Sequence, residues 1–168
     1  MVYKVSFMAL DFNKFDNAQL EVLNSYIDNK DVFIQLCSCV DHNYSPEQIE
    51  VIGKAINMGL DVTNILNSRL SLNCMLLLCD SIRNGIDVSG LDNANIDELL
   101  LKEIIDIKMK SSFDMSFIRN LSLRQCQDFV IRFKENSNFD ISSYIKEVNF
   151  DRLKSCSEIG YALKGYSK

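Results

Sequence analysis

A single histidine, a single proline and no tryptophan occur in 168 residues. His42 is the one side chain able to act as the usual catalytic base, and no serine or cysteine motif of known mechanism accompanies it. Glycine-rich phosphate loops, a Walker motif and a dinucleotide fingerprint are all missing. No apolar run reaches the roughly 18 residues of a membrane span. The N-terminus has no charged start, apolar core and cleavage site, so no secretory leader is expected. These absences point away from an enzyme and away from any cofactor. The scarce proline and tryptophan, with abundant Asn, Ile and Lys, suggest an AT-rich bacterial or phage genome.

Cysteine is present, at six positions, but without paired C-x-x-C spacing. Cys37, Cys39 and His42 form a C-x-C-x-x-H cluster with no fourth ligand, which reads as ordinary loop and buried residues, with no metal site expected. Cys74 and Cys79 are five apart on one helical segment and point in different directions. Reduced structural thiols in a cytoplasmic protein are the expectation. Charge is uneven. Residues 1–95 carry 6 basic and 12 acidic side chains, and residues 96–168 carry 12 and 11. An acidic first half disfavours phosphate backbones there and suits a basic partner surface.

One pattern recurs six times: an apolar residue, a helix N-cap type, and a usually apolar residue four positions after the cap. The starts are Phe15-Asp16, Tyr44-Ser45, Leu70-Ser71, Ile96-Asp97, Leu121-Ser122 and Val148-Asn149, spaced 29, 26, 26, 25 and 27 residues apart. Ser45 and Gln48 make a capping-box pattern with Pro46 at the first helical position, and Tyr44 with Ile49 makes the hydrophobic staple. Asp16/Gln19 and Ser122/Gln125 repeat the box; Cys74, Leu100 and Arg152 break it and leave cap and staple intact. Gly59 and Gly85 should end the second and third long helices, each followed by an apolar residue. Asp61, Asp87, Asp114 and Asp140 then read as second N-caps opening short helices, the one after Asp87 running through Gly90 to near Leu91. In the first repeat only Lys30-Asp31-Val32 remains of this second motif. A core stripe follows at helical spacing: Leu20, Leu23, Ile27; Ile49, Ile52, Ile56; Met75, Leu78, Ile82; Leu101, Ile104; Cys126, Phe129, Phe133.

The predicted fold is all-α: an α-solenoid of about six ~26-residue units, each a long helix, a tight turn and a short helix. Residues 1–168 form one helical-repeat domain, with residues 1–14 as an N-terminal cap and repeats starting near 15, 44, 70, 96, 121 and 148. The last unit, with Ile159, Tyr161 and Leu163 running into Gly165, reads as truncated. The phrases Ser45-Pro46-Glu47-Gln48-Ile49 and Gly59-Leu60-Asp61-Val62-Thr63 resemble short helical repeats in proteins of gut Firmicutes and their mobile elements, whose units run close to F-S-x-E-Q-M…G-L-D-V-S. The resemblance covers about residues 15–168 and is sharpest in the second and third repeats. It implies an α-solenoid of bacterial or phage origin, and brings no activity to particular residues.

A repeat array presents a surface to a partner, and one surface anomaly stands out. Leu76 occupies the position that is Glu21, Glu50, Lys102, Gln127 and Lys154 in the other repeats, so its register predicts an exposed leucine beside Leu77. Leu76, Leu77, Glu50 and Lys102 are therefore the candidate partner-binding residues. The expected function is non-enzymatic protein binding. By analogy with other small acidic proteins of mobile elements, the target would be a host defence protein such as a CRISPR nuclease. One alternative is nucleic-acid binding or regulation through the less acidic C-terminal half, where Arg119, Arg124, Arg132 and Lys134 accompany Phe117, Phe129 and Phe133. The other is homo-oligomerisation through Leu76.

Overall fold

The computed structural model describes residues 11–149 apart from 112 and 137. Among these residues the protein is all-α, with no strand. In chain order the helices are α1 (Asn17–Asn24), α2 (Lys30–Cys39), α3 (Pro46–Asn57), α4 (Leu72–Arg83), α5 (Glu98–Lys110), α6 (Leu123–Glu135) and α7 (141–149). Short 3₁₀ turns cover Phe12–Lys14, Thr63–Ile65 and Ser116–Asn120. The chain divides into two compact units between Asn120 and Leu121. In the first, α1 packs on α2 and α3, α2 on α3, α3 on α4, and α4 on α5.

Five expected caps are in place. Asp16, Ser45, Ser71, Asp97 and Ser122 each accept the backbone N–H three residues on, and the Asp16, Ser45 and Ser122 boxes are closed by Gln19, Gln48 and Gln125. The sixth is not: Asn149 lies within α7 and so does not precede a new helix. The residues after it, including Leu153, Arg152, Lys154 and the truncated final unit, lie outside the described residues, as do residues 1–10 of the expected N-terminal cap. The staple residues Tyr44, Leu70, Ile96 and Leu121 are buried, as are their partners Ile49, Met75, Leu101 and Cys126.

Helix ends follow the glycines. Past α3, Gly59 takes φ 72° and donates its N–H to Ile56 while Leu60 donates to Ala55. Past α4, Gly85 takes φ 74° and donates to Ile82 while Ile86 donates to Ser81. These are paired Schellman endings, which satisfy carbonyls that would otherwise be orphaned.

The core stripe holds, with one exception. Leu23, Ile49, Ile52, Ile56, Met75, Leu78, Leu101, Ile104, Cys126 and Phe129 are buried. Each such aliphatic side chain contributes about 1.5–3 kcal/mol on leaving water. Leu20, Ile82 and Phe133 are half-buried. Ile27, expected in the core, is 55% exposed. The cause is the length of α1, which stops at Asn24 with Ser25 as its C-cap; Ile27 then falls in the following turn. The first repeat thus inverts the expected order, with a first helix of 8 residues and a second of 10.

The short second helices are also corrected. Asp61 and Asp87 do not open α-helices. Each carboxylate accepts the N–H two residues on, from Thr63 and Ser89, closing an Asx turn. After Asp61 only the 3₁₀ turn Thr63–Ile65 forms, and after Asp87 there is no helix at all. Asp114 makes the same turn with Ser116 and leads into the 3₁₀ segment, whereas Asp140 does open a helix, α7. Gly90, expected inside a short helix, has φ 80°, and a Cβ there would lie 2.7 Å from the Ser116 carbonyl oxygen. Around Gly85 the space is open.

Gly90→Ala should therefore destabilise more than Gly85→Ala, reversing the order that an in-helix Gly90 predicts. Gly85→Ala carries the left-handed backbone penalty of about 1–2 kcal/mol. Gly90→Ala adds displacement of the Ser116 backbone. Urea melts of both variants test this, and equal midpoints would contradict it.

The buried Gln48 does two things. Its Oε1 accepts the Ser45 N–H at 2.8 Å, and its Nε2 donates to the carbonyls of Leu70 at 2.7 Å and Ser68 at 3.3 Å, just before α4. Gln48→Leu keeps the volume and strands these groups, at a cost of about 1–3 kcal/mol. A denaturant midpoint unchanged from wild type would show that the bridge carries no stability.

Candidate functional site: the outward face of α3 to α5

Gln19 donates to the Tyr44 carbonyl, Gln48 to that of Leu70, and Cys74 to that of Ile96, each joining one cap to the start of the following unit. On the surface, Asn73 of α4 donates to Glu98 of α5 at 2.7 Å. The first turns of α3, α4 and α5 are thereby tied to one another in sequence, with α4 packed against both α3 and α5. Positions counted from each cap then give rows of equivalent residues.

Positions two, five, nine and twelve after the cap lie on one helical face. In α3 they are Glu47, Glu50, Lys54 and Asn57, all exposed. In α4 they are Asn73, Leu76, Asp80 and Arg83, also exposed. In α5 Leu99, Lys102 and Met109 are exposed and Asp106 is half-buried. Of the four predicted residues, Glu50, Leu76 and Lys102 share the central row, with Leu76 45% exposed, and Leu77 is half-buried beside it. Glu50 pairs with Lys54 at 2.6 Å, and Asp80 with Arg83 at 2.9 Å.

Leu99 is a residue the sequence reading missed. It is 75% exposed, the highest value among the described large apolar side chains, and lies three residues before Lys102 on the same face. The available signal was the run Leu99-Leu100-Leu101, of which the core stripe uses only Leu101. Met109 lies on this face as well, at 58% exposure.

The other candidate groups are arranged as structure. Cys37 and Cys39 sit on α2, and His42 is an exposed turn residue whose backbone carbonyl accepts from Gln19. Among the described residues no three His, Cys, Asp or Glu side chains are placed to hold a metal ion. Burial pushes the described thiols up, Cys39 to about 12 and Cys79 and Cys126 to about 11. Such thiols stay protonated and weakly nucleophilic near neutral pH. No helix among the described residues is long and apolar enough to cross a membrane.

In the second unit the aromatic residues turn on one another. Phe129 lies 6.2 Å from Phe133, 5.8 Å from Phe139 and 5.7 Å from Tyr144 between ring centroids. Arg132 pairs with Asp128 and Glu147 and stands 5.6 Å over the Tyr144 ring. In the first unit Arg119 pairs with Asp92 at 2.7 Å. Phe129 is fully buried, so its ring offers no platform on which a base could stack.

No protein-family model, curated protein or solved structure matches the chain.

The aspartate ladder yields a pH dependence. Hydrogen bonds from Ser89, with Lys108 adding to them, hold the Asp87 carboxyl down at about 2, and Asp61, Asp114 and Asp140 are lowered by their own turn donors. A carboxyl depressed in the folded state stabilises above its unfolded value of about 3.9 and loses that contribution as pH falls. Stability should therefore drop between about pH 4 and about pH 2. Asp87→Asn, which keeps an acceptor oxygen, should drop less over that window. Parallel urea melts at several acid pH values check this; identical slopes would remove Asp87 from the linkage.

Proposed function

We propose that the chain is a non-enzymatic α-solenoid that acts by binding protein through the outward face of α3 to α5. The observation that carries the reading is Leu76 and Leu99, exposed among charged residues on the neighbouring helices α4 and α5. Apolar anchors inside a polar rim are the usual composition of an interface. The solenoid architecture is supported by caps, glycine endings and cap-to-next-helix hydrogen bonds that recur at 26–29-residue intervals in the first unit. The acidic balance of residues 1–95 suits a partner with a basic surface. Inhibition of a host defence protein is the narrower form of this proposal, resting on analogy of class.

The test is a double variant, Leu76→Glu with Leu99→Glu. Both side chains are exposed, so stability should stay within about 0.5 kcal/mol of wild type. Retention of a bacterial protein on the immobilised full chain should fall at least tenfold, with the retained protein identified by mass spectrometry. A large loss of thermal stability would make this face part of the core and end the proposal. Equal retention by wild type and variant would place binding elsewhere.

A further inference from the structure

We infer that the α3–α5 face is self-complementary and pairs with a second copy of this chain about a two-fold axis running along α4. The inference rests on the protein-binding reading above and names the occupant of that face in the isolated protein.

The argument is charge order. On α3 the outward pair reads Glu50 then Lys54, an acid followed by a base, joined at 2.6 Å. On α5 the positions equivalent to these are Lys102 and Asp106, a base followed by an acid. The signs reverse at both levels across α4. A two-fold axis lying in the interface and parallel to α4 exchanges α3 of one copy with α5 of the other without changing height along the helices. Glu50 then faces Lys102 of the second copy, and Lys54 faces Asp106. Each of these contacts occurs twice.

Leu76 lies on the axis and meets its own copy, giving the interface an apolar centre. Leu99 comes opposite Glu47, where the stem of the glutamate can cover it. Two like-charged pairs meet on the axis, Asp80 with Asp80 and Arg83 with Arg83, and the Asp80–Arg83 ion pair at 2.9 Å moderates both. Three helix faces supply fewer than the 20–30 residues a side typical of an interface burying about 800 Å² per partner, which places the pairing in the small-interface class. Because the charge pairs stand at the surface, the association should weaken as salt rises from about 0.05 to about 0.5 M.

Sedimentation velocity and equilibrium on the full chain over a concentration series provide the test. The wild type should move from 19.2 kDa toward twice that mass. Glu50→Lys with Lys54→Asp sets like charges opposite Lys102 and Asp106 and should weaken association at least tenfold. Adding Lys102→Glu and Asp106→Lys restores opposite signs at every contact and should bring association back to within about threefold of wild type. All four side chains are at least partly exposed, and circular dichroism melts verify that the variants fold. Three results would overturn the inference: a wild type monomeric at hundreds of micromolar, a double swap that associates like wild type, or a fourfold swap that stays dissociated. A monomeric wild type that still binds another protein, dependent on Leu76 and Leu99, would overturn the self-pairing and leave the protein-binding reading in place. An absence of any binding that depends on Leu76 and Leu99 would remove both.

Discussion

The first unit depends on one hydrogen bond made again and again, from the residue three past a helix cap to the carbonyl that opens the following unit. Gln19 and Gln48 make it at 2.6 and 2.7 Å, and the Cys74 thiol makes a weaker version at 3.7 Å. The receiving carbonyls belong to Tyr44, Leu70 and Ile96, which are buried as staples. A buried carbonyl without a donor is costly, so the donor fixes where the next helix can start. Apolar burial would tolerate a range of sliding between neighbouring helices. The directional bond selects one offset between the first turns of neighbouring helices. At the equivalent position of the fourth repeat stands Leu100, whose side chain has no donor.

A second set of polar ties lies in the loops. Asp41, Asn67 and Asn93 recur at 26-residue intervals and each accepts the N–H two residues on. Asn67 also donates to the Asp92 carbonyl and Asn93 to that of Ile118, each one unit ahead. Asparagine can do both because it carries an acceptor and a two-proton donor on one short stem; Asp41 can only accept. Caps tie one end of the units and loop asparagines another, while the apolar stripe supplies most of the free energy. The close approach of Gly90 to the Ser116 backbone belongs to the same loop layer, beside the buried side chains of Val88, Leu91, Met115 and Ile118.

The parts of this architecture that were legible in the sequence are those governed by local chemistry. Caps, boxes and the Gly59 and Gly85 endings depend on residues a few positions apart, and the outward register of Leu76 follows from the cap that starts its helix. What escaped was decided at longer range or by weak propensities. Asp61 and Asp87 look like N-caps, but Val62-Thr63-Asn64 and Val88-Ser89-Gly90 are poor helix formers, so the Asx turn goes no further than one 3₁₀ turn or none. Asp140 is followed by the similarly weak Ile141-Ser142-Ser143, and there a helix does form, carried on by Lys146 and Glu147. Ile27 has the right spacing for the core but lies past the point where Asn24 and Ser25 end α1. The second role of Gln48 was hidden because a capping box explains that glutamine locally, and nothing in a sequence shows that its amide is still free to donate.

The same constraint explains how this surface can carry information. With the first turns of α3, α4 and α5 locked at one offset, a substitution at an outward position changes one place in a grid and leaves the core stripe untouched. Glu50, Leu76 and Lys102 differ in charge and polarity at one equivalent position while Ile49, Met75 and Leu101, one residue earlier, are all buried and apolar. The inward residue answers to packing, and the outward one is free of that demand. An acid, a leucine and a base in a row, followed one turn on by Lys54, Asp80 and Asp106, form a pattern that packing does not require. Each outward choice is tolerable alone, since isolated exposed apolar groups and surface ion pairs contribute little to stability. What the fold adds is their fixed relative placement, and that placement turns three ordinary helix surfaces into one surface of defined chemistry.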